Sequence, residues 1–218
     1  MLFRSVTCAD RKAPLVEHLN SRGITNIDWV DGFSIHHPFV KWWSEKIGPE
    51  FSLNYVSSLV TGLEGFLRFV ESGDEFASFC DDDVVVIRDF AKVEIPLLDF
   101  VNLSVGVMFH VLPDGQRQHI MNNGGCEMFL MSRKFAEFIL NNVDPTIPSD
   151  IMIFCLLDVY GKIAISMPVA QQTSIITKSV PITHERSMNW LDIWRNFKPT
   201  GVRYEDIRNE SGYFGQHS

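Results

Sequence analysis

The chain lacks the patterns that most often identify a binding site in a sequence. Its four cysteines include no C-x-x-C pair, which argues against a zinc site or a disulfide framework. Neither G-x-G-x-x-G nor a P-loop occurs, so the common glycine-rich cradles for phosphate are missing. No apolar run approaches the roughly 20 residues that a membrane-spanning helix needs.

Clustered basic residues are also scarce. The chain has 19 Lys and Arg against 27 Asp and Glu, and its formal net charge is −8. Because nucleic-acid affinity is built on clustered Lys and Arg, we expect no nucleic-acid partner. A phosphate-bearing ligand of such an acidic chain is expected to bind together with a metal ion.

What is present is ordinary globular composition. Of the 218 residues 45% are apolar and 21% charged, which predicts a single domain spanning residues 1–218. Residues 1–4 already include a charge and lead into a strand, so we expect no signal peptide. The protein is accordingly predicted to be cytoplasmic, without a membrane span.

The order of elements predicts an α/β fold. Leu2–Val6 is typical of a strand, Arg11–Arg22 of a helix and Ile24–Val30 of a second strand, the opening of a nucleotide-binding fold. Residues 31–50 are predicted to be a loop with a short helix. From Leu53 to Val70, apolar residues recur at spacings of three and four, which predicts a long helix ending at Gly73.

The second half of the chain alternates in the same way. The Pro113–Gly115 turn predicts a hairpin between its flanking apolar segments. The remaining predicted elements are a strand over Cys126–Met131, helices over Arg133–Asn141 and Asp150–Tyr160, and a strand over Ile163–Met167. After Pro181 the sequence predicts irregular structure.

Three consecutive carboxylates, Asp81, Asp82 and Asp83, stand between the apolar runs Phe76–Cys80 and Val84–Ile87. Ligands of α/β proteins bind beyond the carboxyl ends of the strands, and carboxylate oxygens suit a hard divalent cation. Like charges side by side against apolar flanks are unfavourable unless a cation offsets them. The pattern favours a metal site that carries a phosphate, and the alternative is a solvated acidic turn.

The acidic run and its surroundings resemble the D-x-D region of GT-A glycosyltransferases, in the segment E-F-A-S-F-C-D-D-D-V (Glu75–Val84). Downstream, N-G-G-C-E-M-F-L-M-S-R-K-F-A (Asn123–Ala136), P-S-D (Pro148–Asp150) and P-V-A-Q-Q-T-S (Pro168–Ser174) are similar to the segment order of glycosyltransferase family 25. The chain is also similar to the compact glycosyltransferase domains of large algal DNA viruses. The resemblance implies a GT-A fold, with a mostly parallel central sheet flanked by helices.

The resemblance also implies roles for the carboxylates. In the family the first carboxylate of the motif contacts the nucleotide ribose, which carries over to Asp81, and the last coordinates the metal, which carries over to Asp83. Asp82 supports either role. A C-terminal histidine completes the metal shell in many such enzymes, which points to His184, and the implied cofactor is Mn²⁺ or Mg²⁺.

Further residues are candidates for the nucleotide and sugar sites, Thr7 and Arg11 by the resemblance and the others by their residue type and position. Thr7 and Arg11 follow the first strand, where the donor nucleotide binds, although Arg11 is equally explained as an exposed helix charge. Gly124 and Gly125 allow a close backbone approach to a sugar, or form a plain turn. Ser57 and Ser58 lie off the apolar stripe of the long helix and face either the nucleotide or solvent.

The sequence thus predicts an enzyme that transfers a sugar from a nucleotide donor to a saccharide hydroxyl. The donor we expect is a UDP-sugar. If the reaction inverts the anomeric centre, Asp150 or Glu127 is the candidate general base; for Asp150 a helix N-cap is the competing interpretation. Two alternatives stay open: a metal-dependent hydrolase or nucleotidyltransferase, and a non-catalytic carbohydrate-binding module on the same fold.

Overall fold

The computed structural model describes residues 2–5, 9–82, 84–104, 107–111, 117–122, 128–147, 149–161, 165–172 and 190–214. Strands and helices alternate through most of this range. The strands are β1 (Leu2–Ser5), β2 (Asp28–Asp31), β3 (Phe76–Asp81), β4 (Val84–Val86), β5 (Phe100–Ser104), β6 (Val107–Val111), β7 (Arg117–Asn122), β8 (Met128–Ser132) and β9 (Ile165–Gln172). The helices are α1 (Ala9–Ser21), α2 (Pro38–Ile47), α3 (Leu53–Ser72), α4 (Arg133–Leu140), α5 (Ser149–Val159), α6 (Trp190–Asn196) and α7 (Tyr204–Ser211), with a 3₁₀ turn at Phe90–Lys92.

Within the described ranges, seven strands form one sheet in the order β2-β1-β3-β8-β5-β9-β4, and β6 pairs with β7 in a separate hairpin. The pairings β1–β2, β1–β3 and β5–β9 are parallel, whereas β3–β8, β5–β8 and β4–β9 are antiparallel. The prediction of an α/β fold is confirmed. The prediction of a mostly parallel sheet is wrong, because hydrophobic patterns locate a strand without giving its direction.

Helix α3 packs along the larger of the two cores. Ser52 caps its N-terminus by accepting a hydrogen bond from the backbone N–H of Tyr55, at 3.2 Å. At the other end Gly73 adopts a left-handed φ of 80°, which only glycine takes without strain. The apolar stripe of α3 lies against the sheet, as the three-and-four spacing predicts.

Strand β3 is covered on both faces. Successive strand residues point to opposite sides of the sheet, and here Ala77 and Phe79 pack into the core with α3, α4 and α5. Phe76 and Cys80 pack into the second core, which contains Leu15 of α1. The two cores therefore lie on opposite faces, with α1 on one face and α3 on the other.

The other predicted elements are present with shifted ends. The hairpin is confirmed as β6 and β7, and its turn lies outside the described residues. After Pro181 the prediction of irregular structure is wrong, because α6 and α7 lie there. None of the helices within the described part of the chain is both long and apolar enough to cross a membrane.

Candidate functional site at the carboxyl ends of β1 and β3

The order of the first three strands reverses at β1. The chain forms β1, places β2 on one side of it, and then returns past β1 to place β3 on the other side. The connecting helices α1 and α3 lie on opposite faces of the sheet. At such a reversal the loops leave in opposite directions, and ligands of α/β proteins bind in the opening between them.

The carboxylates lie at this reversal. Arg4 of β1 is paired in register with Asp81, which is the last residue of β3. Asp82 follows in a turn, and both carboxylate residues are half-buried. Because β1 and β3 are parallel, the ends of both strands open on the same edge, so the sequence-based placement of Asp81 and Asp82 at a strand end is confirmed.

The first turn of α1 lies at the same edge. The helix begins at Ala9, soon after β1 ends at Ser5. Its first backbone N–H groups have no partners within the helix, and the helix dipole favours an anion at this end. The backbone of Arg11 lies in this turn, while Thr7 falls outside the described residues. A region that attracts phosphate therefore adjoins the strand that carries the carboxylates.

The carboxylate oxygens at this edge are of the chemical type that binds a hard divalent cation. Carboxylate oxygens are the ligands that Mg²⁺ and Mn²⁺ prefer, and Asp81 and Asp82 supply them from adjacent positions. Over the described ranges no group of three His, Cys, Asp or Glu side chains is arranged to hold a metal ion. Asp83 and His184, the further predicted ligands, lie outside those ranges.

The loop after β2 borders the same edge and is held by α3. Thr61 Oγ1 accepts a hydrogen bond of 3.0 Å from the backbone N–H of Phe33, and Ser57 donates its hydroxyl to the Phe33 carbonyl. Both hydroxyl-bearing residues are buried. Ser57 therefore fixes a loop, and the suggestion that it faces a nucleotide or solvent is wrong. In the sequence, this contact could have been anticipated only from Ser57 and Thr61, two polar residues that lie one turn apart on the same face of a helix.

Asp150 lies in the first turn of α5, and its Oδ1 accepts a hydrogen bond of 2.9 Å from the backbone N–H of Ile151. Burial, and then the charges of Asp144 and Asp150, raise the pKa of Tyr55. Its role as a base stays a prediction. Glu127, Gly124 and Gly125 lie outside the described residues, so their roles are predictions as well.

No protein-family model matches the chain, and no curated protein matches it. One solved structure, that of A197 from STIV, is similar over 78% of this chain and 82% of its own, with 19% sequence identity and a TM-score of 0.41. A similarity at that level shows neither a family nor a function for this chain.

Proposed function

We propose that the protein is a metal-dependent glycosyltransferase of the GT-A type, which transfers a sugar from a nucleotide donor to a saccharide hydroxyl. A UDP-sugar is the first candidate for the donor. The observation that supports the proposal most is the position of Asp81 and Asp82. Asp81 ends β3 and Asp82 follows it, at the point where the end of β3 meets the end of β1 and the strand order reverses. This is where α/β proteins bind nucleotides.

The charges of the region support a diphosphate that binds with a cation. Two adjacent carboxylates repel a diphosphate, whereas the first turn of α1 attracts it. Asp81, Asp82 and, by the resemblance, Asp83 and His184 would hold Mn²⁺ or Mg²⁺ between these opposing groups. When bound, the cation supplies Lewis-acid stabilisation of the charge that develops on the departing nucleoside diphosphate.

The remaining roles in the proposal come from the resemblance. Thr7 and Arg11 contact the nucleotide, and Gly124 and Gly125 allow a close backbone approach to the donor sugar. If the reaction inverts the anomeric centre, Asp150 or Glu127 accepts the proton of the acceptor hydroxyl. A retaining reaction requires no base at that position.

The first test is calorimetric titration of UDP, GDP, CDP and dTDP into the protein, each with and without Mn²⁺. The proposal expects one diphosphate to bind only when the metal is present. Asp81→Asn and Asp82→Asn should each weaken that binding, and Asp74→Asn serves as the control because Asp74 is an exposed residue just after α3. Failure of all four diphosphates to bind would overturn the proposal.

Turnover separates the alternatives. With the sugar nucleotide whose base the titration identifies, a transferase releases the diphosphate in step with acceptor glycosylation. A hydrolase releases free sugar at the same rate without an acceptor, and a nucleotidyltransferase releases pyrophosphate when it is given a sugar phosphate and a nucleoside triphosphate. A binding module retains the donor unchanged.

A further inference from the structure

The loop after β2 is fixed by backbone contacts close to the candidate site. Phe33 follows the last residue of β2, Asp31, by two positions. Since β2, β1 and β3 are parallel neighbours, this loop leaves the sheet at the same edge as the carboxylates. The ends of β2 and β3 are about 10 Å apart, which is two interstrand spacings. The bonds to Ser57 and Thr61 hold both backbone polar groups of Phe33.

The ring of Phe33 is held from the other end of the sequence. Phe214 packs against it, with 6.2 Å between ring centroids, and packs edge-on against Phe39 at 4.9 Å. The guanidinium of Arg208 lies 4.1 Å from the centroid of the Phe214 ring. Phe214 is therefore partly buried against the loop after β2, α2 and α7.

Phe214 is held in place by α7 and by contacts to α3 through Arg208. Gly212 ends α7 with a left-handed φ of 70°, which turns the chain back toward α2. Arg208, which stacks on Phe214, is anchored at the buried carboxylate of Glu64 on α3, with Nε 2.8 Å from Oε1. A continuous set of contacts thus runs from α3 through Arg208 and Phe214 to Phe33.

We propose that Phe214 is a positioning residue, which fixes the loop after β2 as one wall of the nucleotide site. The part that concerns the nucleotide rests on the proposed function. The Ser57 and Thr61 bonds hold the Phe33 backbone from one side, and the Phe214 ring holds its side chain from the other. The Phe33 ring also packs edge-on against His37, at 4.8 Å between centroids, so loss of the Phe214 ring loosens the loop without releasing it, while the strand end at Asp81 stays in place.

Hydrogen exchange of the amides of residues 31–37 tests the structural part without any ligand. We expect Phe214→Ala to increase exchange in this segment about tenfold or more, because local opening no longer has to displace a packed ring. Phe214→Leu, which keeps an apolar side chain, should restore most of the protection. Unchanged exchange in Phe214→Ala would overturn the inference.

Two control variants separate positioning from general destabilisation. Tyr213→Ala removes a neighbouring exposed aromatic ring. Phe138→Ala removes a half-buried ring of α4 that packs 5.0 Å from Tyr160, away from the loop after β2. Neither control should increase exchange in residues 31–37 beyond its effect on global unfolding, and an equal increase in Phe138→Ala would count against a positioning role.

Nucleotide affinity tests the remaining part. Using the diphosphate and metal that bind the wild-type protein, we expect Phe214→Ala to weaken binding about tenfold and Phe138→Ala to leave it unchanged. Faster exchange with unchanged affinity would overturn the assignment of this loop as a wall of the site. Absence of binding by the wild-type protein would overturn the proposed function instead, and the exchange comparison would still decide whether Phe214 holds the loop.

Discussion

The phenolic hydroxyl of Tyr204 donates a hydrogen bond of 2.8 Å to Oε1 of Glu64, although the two residues are 140 positions apart. Tyr204 is fully buried and Glu64 is only 6% exposed. Arg208 Nε lies 2.8 Å from the same oxygen, but its N–H is not aligned with it, so this contact is ionic without being a good hydrogen bond. Burial raises the pKa of Glu64, and Arg208 and the Tyr204 hydroxyl oppose that rise.

Tyr204→Phe should destabilise the protein by about 1–3 kcal/mol, because a buried carboxylate loses its hydrogen-bond donor while the aromatic packing stays. Urea denaturation followed by circular dichroism measures the loss. Glu210→Gln is the control. Glu210 lies on the same helix as Tyr204 and forms an exposed ion pair with Lys46 of α2, so loss of its charge should cost less than about 1 kcal/mol. Equal effects in the two variants would show that the buried bond contributes little.

The edge strand β4 is tied to α1 by a histidine. The backbone N–H of Val86 donates a hydrogen bond of 2.9 Å to His18 Nε2, which requires that nitrogen to be unprotonated. Burial, and then the charge of Arg22, lower the pKa of His18 below its ordinary 6.5. The unfolded chain therefore takes up the proton more readily than the folded protein.

It follows that the contribution of His18 to stability is present above about pH 6.5 and is lost as pH falls toward the folded-state pKa. His18→Gln retains an acceptor that does not titrate, so its urea midpoint should fall less than that of the wild type between about pH 7.5 and about pH 5. His36→Gln changes an exposed histidine, and the urea midpoint of this variant should depend on pH as it does in the wild type. A wild-type pH dependence in His18→Gln would contradict the assignment.

Two glycines of the α3 region should respond in opposite ways to alanine. At Gly73, φ is 80° and an added Cβ meets only Arg133 Nη1 at 3.9 Å, so Gly73→Ala should cost roughly 1–2 kcal/mol through backbone strain alone. Inside the helix, a Cβ at Gly65 would lie at ordinary contact distance, 3.8 Å from Val30 and 3.9 Å from Phe79. Gly65→Ala should therefore stabilise the protein by roughly 0.5–1 kcal/mol. Thermal denaturation of both variants measures the difference, and destabilisation by Gly65→Ala would show that the α3–β3 contact has no room for a methyl group.

Asp83→Ala should abolish metal-dependent diphosphate binding and leave the fold intact. The proposed cation loses an oxygen ligand, whereas a charge next to two others contributes little to folding. Titration of UDP with and without Mn²⁺ measures the effect, with Asp74→Ala at an exposed position as the matched control. A variant that binds UDP with unchanged manganese dependence would exclude Asp83 as a ligand.

The sequence predicted best where its periodicity was long. The stripe from Leu53 to Val70 and the terminal Gly73 located α3 within a residue or two, because a helix that faces the core repeats its apolar positions over five turns. Helix α7 was missed for the opposite reason. Among its eight residues only Tyr204 is buried, so no apolar stripe was available to indicate it.

For the candidate site, the sequence placed the carboxylates of Asp81 and Asp82 at a strand end. It could not show that β1 is the parallel neighbour of β3, since strand order depends on contacts between distant segments. Phe33 and Phe214 are likewise brought together only by the fold. Local patterns contain no record of such a contact.

The pairing of β3 with β8 also bears on the order in which the protein forms. Residues 76–80 are hydrogen-bonded to residues 128–132, so the strand that carries the carboxylates has an open edge until β8 has been synthesised. An unpaired edge next to apolar side chains is a template for aggregation. A chain terminated between β3 and β8 would expose that edge, and expression of the first three strands alone is expected to yield an aggregating fragment even though they carry Asp81 and Asp82.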